Sequence, residues 1–149
     1  MMIFATTALW AGDVTVKVVA SDGITPVSGV QITYGSGTNS GAAYFPGTPT
    51  PAGGSLTATL PSGTYSFRAS FRNGSSIVLS VDCSGPTTEV TFQTSEVILE
   101  LKTCGGTPLA GGSARYGAGA AYGTSFWPGG NTDVNGQIKD RVISWNILN

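Results

Sequence analysis

Few residues in this sequence can do chemistry. Its 149 residues include no histidine, two cysteines, seven basic and eight acidic side chains. Without histidine the commonest general base is missing, and so are the usual Ser-His and Cys-His nucleophile pairs and most zinc sites. Ser and Thr are plentiful, but without a base they are weak nucleophiles. Asp133 and Asp140 are candidates for a carboxylate pair, yet nothing in the pattern marks a pocket around them. Asp133-Val134-Asn135-Gly136 has the opening of a calcium loop without its later ligands, and a turn explains it better. Cys83 and Cys104 fit no zinc or haem spacing. A disulfide and two separate thiols both remain open. The aromatics Tyr44, Phe45, Phe126 and Trp127 offer flat apolar faces on which sugar rings can stack. Because each pair is adjacent, one member should face outward from a strand. Core packing is the plainer reading. The expectation is no enzyme, no metal and no cofactor. A net charge of -1 argues against nucleic acid, which is normally met with a clustered basic patch.

The elements that would position these residues are strands. Apolar side chains recur at every second position, which buries one face of a strand. Tyr65, Phe67, Ala69 and Phe71 alternate with Ser66, Arg68, Ser70 and Arg72. Val14, Val16 and Val18 alternate with Thr15 and Lys17. Further sets are Val30, Ile32 and Tyr34; Leu56, Ala58 and Leu60; Ile77, Leu79 and Val81; Val90 and Phe92; and Val97, Leu99 and Leu101. Turn clusters such as Ser21-Asp22-Gly23 and Asp82-Cys83-Ser84-Gly85-Pro86 separate them. Short strands at this spacing predict an all-β antiparallel sandwich. No apolar run reaches the roughly 20 residues needed to cross a membrane as a helix.

An internal repeat organises the chain. At an offset of 82 positions Thr25-Pro26-Val27-Ser28-Gly29 lies over Thr107-Pro108-Leu109-Ala110-Gly111. In the same register Tyr34-Gly35 lies over Tyr116-Gly117, and Tyr44-Phe45-Pro46-Gly47 lies over Phe126-Trp127-Pro128-Gly129. Gly54 lies over Gly136. Val14 and Val18 match Val97 and Leu101 once a one-residue gap is allowed. Residues 13–94 are expected to form a complete sandwich repeat, and residues 95–149 a partial second one, with Trp145 in the place of Tyr65. Residues 1–12 form an apolar segment. It reads as a signal remnant ending at Ala11, as a native strand or a start inside a longer gene, or as a donor strand built on Ile3, Phe4, Ala5, Leu9 and Trp10 that fills the open second copy of another chain; the plainer reading of that open copy is a fragment of a longer repeat protein.

The run Val14-Thr15-Val16-Lys17, Asp22-Gly23, Pro26-Val27-Ser28-Gly29-Val30, then Gly54 and Leu60-Pro61-Ser62-Gly63-Thr64-Tyr65-Ser66-Phe67, resembles the transthyretin-like sandwich group. That group includes carboxypeptidase-regulatory-like domains and the B-type repeats of collagen adhesins. The resemblance covers nearly everything after Gly12. It implies an Ig-like or transthyretin-like sandwich in tandem, and a non-catalytic module of a secreted or surface-anchored bacterial protein. Some relatives join strands by an isopeptide bond from a lysine. Lys17 and Lys102 lie on the matching strand, but Arg68 stands where the catalytic glutamate would be, so no such bond is expected.

The expected role is therefore structural or adhesive: a spacer, stalk or fibre subunit whose partners are other domains or copies of the same protein. Two alternatives are a carbohydrate-binding module that meets polysaccharide through Tyr44, Phe45, Phe126 and Trp127, and a filament subunit assembled by strand donation.

Overall fold

The structure, a computed structural model, describes residues 11–71, 74–76, 78–116 and 125–143. Among these there is no helix. The strands are β1 (Ala11–Val19), β2 (Gln31–Ser36), β3 (Ala43–Tyr44), β4 (Ser55–Pro61), β5 (Thr64–Phe71), β6 (Gly74–Ser75), β7 (Leu79–Asp82), β8 (Thr87–Glu100), β9 (Ser113–Tyr116), β10 (Ser125–Asn131) and β11 (Gln137–Ile143). The chain divides into two compact units. The second is Ser95–Val142, and the first takes in Met1–Thr94 together with Ile143–Asn149.

The first unit is a sandwich-like pair of sheets. In one, β1 pairs with β4 antiparallel and with β8 parallel. In the other, β2 lies between β3 and β5, and β5 also pairs with β6 and β7. Val14 and Val16 of β1 are fully buried between exposed or half-buried neighbours, as alternation requires, and Val18 is fully buried next to the buried Val19. They meet Ile32, Leu56, Leu60, Phe67, Ala69, Val90 and Phe92 in one core. Its centre is aromatic. Tyr34 stacks on Phe67 at 6.1 Å between ring centroids and meets the Phe45 ring edge-on at 5.4 Å. Such offset and edge contacts suit the ring quadrupoles.

Three features depart from the sequence reading. Ser66 was expected to face water, but it is buried. The turn after β2 folds over it, so its hydroxyl donates to the Gly37 carbonyl and shares a 2.7 Å bond with Ser80 Oγ. The sequence pattern sets Val90 and Phe92 apart from Val97 and Leu99 as two strands. They lie on one 14-residue strand, β8, because no glycine or proline interrupts residues 87–100. The strand β1 begins at Ala11, paired with Pro61, so the first two residues of the strand come from the segment set apart as residues 1–12. The donor residues Ile3, Phe4, Ala5, Leu9 and Trp10 lie outside the described residues, as do Arg72, Ile77, Gly117 and Trp145.

In the second unit β9 and β10 pair antiparallel, with a register break between Phe126 and Asn131. Pro128 cannot donate to a ladder and two glycines follow it, which accounts for the break. The neighbour of β8 on this side is β11.

Candidate functional site

The same hydrogen bonds occur in both units at positions 82 or 83 apart. Val18 N donates to Gly54 O (2.7 Å), and Leu101 N to Gly136 O (2.8 Å). Val27 N donates to Val18 O, and Leu109 N to Leu101 O, each at 2.9 Å. Gly29 N reaches Thr50 O, and Gly111 N reaches Thr132 O, each at 2.8 Å. Thr50 N bonds Val30 O, and Thr132 N bonds Gly112 O. The offset changes from 83 to 82 within one turn. Ala20 N to Thr25 O closes over four residues, whereas Thr103 N to Thr107 O closes over three. In the longer turn Asp22 Oδ1 caps the amides of Ile24 and Thr25; in the shorter one Thr103 Oγ1 accepts from Thr107 N.

At the centre of each set is a buried threonine. Thr50 Oγ1 accepts from Val30 N at 3.1 Å and donates to Val27 O at 2.8 Å. Thr132 Oγ1 accepts from Gly112 N at 2.9 Å and donates to Leu109 O at 2.5 Å. A single hydroxyl thus satisfies a donor and an acceptor of a loop with no ladder partner there. Replacing Thr50 by Val keeps the shape and removes both bonds. The expected loss is about 1–3 kcal/mol of stability in urea unfolding, with Thr50→Ser losing less. An unchanged midpoint for Thr50→Val would contradict this role. The sequence repeat aligned these threonines, but their polar type gave no reason to single them out; the signal was their place at a loop end beside Pro49 and Asn131.

The candidate aromatics separate by alternation. Tyr44 is 66% exposed and Phe126 57%. Phe45 is buried in the core against Tyr34 and Phe67, so it is unavailable to a ligand. Trp127 is half-buried. Tyr44 pairs with Thr33 across β2 and β3, and Phe126 pairs with Arg115 across β9 and β10. The surroundings differ. Tyr44 borders a shallow depression of about 540 Å³ lined by Gly29, Gln31, Thr33 and Ser70. The Phe126 ring is capped by the Arg115 guanidinium, 4.0 Å from its centroid.

The other candidates do not converge. Asp133 sits in the turn before β11, and its Oδ1 accepts from Asn135 N (2.8 Å) and Gln137 N (2.9 Å). The bond from the Gln137 amide, foremost, holds this carboxyl below the usual range. Asp140 is buried on β11 and accepts from Arg141 N. Among the described residues no cluster of three or more His, Cys, Asp or Glu could hold a metal. Lys17 pairs with Glu89 at 2.5 Å on the exposed side of the sheet, and Lys102 pairs with Glu100. Both lysines are thus ion-paired to glutamates at the surface. These pairs pull the glutamate carboxyls down, through the hydrogen bond from the lysine first.

Cys83 and Cys104 are both free thiols, so the bridge left open above is not a feature of this structure. Cys83 is buried just past β7, and burial raises its pKa; Cys104 is exposed in a turn. A bulky thiol reagent should modify one thiol per folded chain, at Cys104, and both after unfolding. Labelling of Cys83 at the same rate as Cys104 in the folded protein would contradict this.

No helix among the described residues is long and apolar enough to cross a membrane. No family model matches the chain. No curated protein matches it closely. Among solved structures it is similar to a streptococcal ancillary pilin, with 17% identity and a TM-score of 0.47 over 93% of this chain and 52% of that one. It is also similar to the Bacillus anthracis TIE protein, with 16% identity and a TM-score of 0.43 over 89% of this chain and 27% of that one. The chain thus spans about half the length of the first and about a quarter of the second. At these scores the likenesses carry no functional argument.

Proposed function

We propose that this chain is a non-catalytic structural module of a bacterial extracellular or surface protein, made of two copies of one Ig-like or transthyretin-like sandwich framework. The observation that carries the reading is the recurrence of the threonine-centred hydrogen bonds, with Thr50 and Thr132 in the same role. A repeated framework whose polar groups are bonded to its own backbone serves spacing and mechanical continuity. The strand β8 runs without interruption over 14 residues. Paucity of charge and abundance of Gly, Ser and Thr suit an exported chain. The test is protease shaving of intact cells that make the protein, followed with an antibody to residues 11–94. Loss of the signal on shaving is expected. A signal that survives until the cells are lysed would overturn the surface assignment.

A second reading has its own observation. The open face of Tyr44, beside Gln31, Thr33 and Ser70, combines an apolar platform with uncharged hydrogen-bonding groups, the combination a neutral polysaccharide needs. Affinity electrophoresis in gels containing neutral polysaccharides tests it. Retardation abolished by Tyr44→Ala, with folding retained, is expected under this reading. Equal mobility of both proteins in every gel would contradict it.

A further inference from the structure

Among the described residues, the second unit has an open groove where the first has a filled core. Leu99, Leu101, Ala114 and Ile138 line a groove of about 260 Å³, which the charged residues Glu100 and Arg115 also border. By the 82- and 83-residue offsets these four correspond to Val16, Val18, Ile32 and Leu56. In the first unit that space is filled by Phe67 and Ala69 of β5 and by Val90 and Phe92 of β8. The difference shows in exposure. Val18 is fully buried, whereas Leu101 is 41% exposed. Among the described residues, residues 95–100 of β8 have β11 on one side and no strand on the other.

The first unit also shows what kind of segment fits there. Residues 87–93 of β8 pair parallel with residues 13–19 of β1. The same strand then runs on as residues 95–100, which match β1 by offset. A strand that completes one copy beside its β1 therefore continues directly into the β1 of the next. In this chain the residues just ahead of β1 stand in the same relation to β1 as residues 87–94 do to residues 95–100. Carried back by 83 positions, the inward residues Thr88, Val90 and Phe92 become Ala5, Thr7 and Leu9. All three are small or apolar, and residues 1–12 contain no charged side chain.

We propose that residues 4–10 of a second copy of this chain occupy the groove, paired parallel to residues 96–102, the end of β8 and the two residues after it, and that the chains thereby join head to tail. The occupant is named by the register of β8 and by the uncharged, small and apolar side chains that this register turns inward. The contact is heterologous, the same two surfaces recurring at each junction, so it propagates into a filament unless the rotation closes a ring. This inference rests on reading the two units as copies, which amide exchange tests separately.

Two variants of the full chain test it. One lacks residues 1–10 and can accept but not donate. The other carries Leu99→Asp and can donate but not accept. Multi-angle light scattering should show assemblies for the unaltered chain and monomers for each variant alone. An equimolar mixture of the variants should show twice the monomer mass and nothing larger. Circular dichroism reports whether each variant is folded. If Leu99→Asp fails to fold, a fluorescent peptide of residues 3–12 takes its place. It should bind the shortened chain, and its Leu9→Asp form should not. A monomeric unaltered chain, assembly that survives removal of residues 1–10, or equal binding of both peptides would each overturn the proposal.

Discussion

Replacing Gly54 by Ala is expected to lower the stability of the first unit by about 3–5 kcal/mol, a large share of the roughly 5–15 kcal/mol that holds a domain folded. Two effects add. Gly54 has φ +67°, a left-handed conformation that costs a residue with a β-carbon about 1–2 kcal/mol. The added carbon would also lie 2.7 Å from Val18 O, 2.8 Å from Pro26 Cβ and 2.9 Å from Val27 N. Two of these are backbone atoms joined to each other by the Val27 N to Val18 O bond, so relief means moving β1 away from the loop that follows it. Gly37→Ala separates the two effects. Its φ is +62° but nothing lies within 4 Å, so only the conformational cost of about 1–2 kcal/mol is expected. Urea unfolding of both variants measures the difference. Equal losses for Gly54→Ala and Gly37→Ala would show that the close approach contributes nothing. Gly136 repeats the geometry in the second unit, with φ +71° and a β-carbon position 2.4 Å from Leu101 O.

Phe67→Ala is expected to cost about 3–5 kcal/mol, as the emptying of a large aromatic site in a packed core does. Phe67 is fully buried on β5 and touches the aromatic residues that tie the two sides of its sheet together: Tyr34 of β2, and Phe45 just past β3. Ile32, Val14 and Val16 complete the enclosure in the same cluster. Removal leaves a hole that these rigid neighbours close only in part. Phe67→Leu keeps most of the volume and should cost less than half as much. Denaturation followed by far-ultraviolet circular dichroism distinguishes them. A loss below about 1 kcal/mol for Phe67→Ala would mean that the centre of the core lies elsewhere.

The strands were legible because their burial has a period of two and their turns carry Gly, Pro, Asp and Asn. The alternation of β1, β2, β4 and β5 follows directly from Val14, Ile32, Leu56 and Phe67. Where the reading departed from the structure, a longer-range contact took over. Ser66 sits at an outward position of β5, but the turn around Gly37 covers it, and a local pattern carries no sign of a distant loop. The continuity of β8 is a related case. Residues 94–96 are polar and looked like a junction, although they hold nothing that stops a strand. Of the candidate site residues, alternation foretold that one of each aromatic pair would face outward but not which one. Tyr44 takes the exposed place because Phe45 is drawn into the cluster with Tyr34 and Phe67. The repeat aligns the threonines at 50 and 132, but their residue type does not single them out. A hydroxyl that replaces ladder partners is recognised only once the orphan amide and carbonyl beside it are known.

Amide hydrogen exchange by nuclear magnetic resonance tests the central claim most directly, since the two-copy framework is a statement about particular hydrogen bonds. The amides of Val18, Val27, Gly29, Val30 and Thr50 should be protected, and so should their counterparts at Leu101, Leu109, Gly111, Gly112 and Thr132. Each Thr→Val change should release the amide its hydroxyl holds, Val30 in one unit and Gly112 in the other. Protection of the first set together with free exchange throughout the second would contradict the account, because only one copy of the framework would then exist.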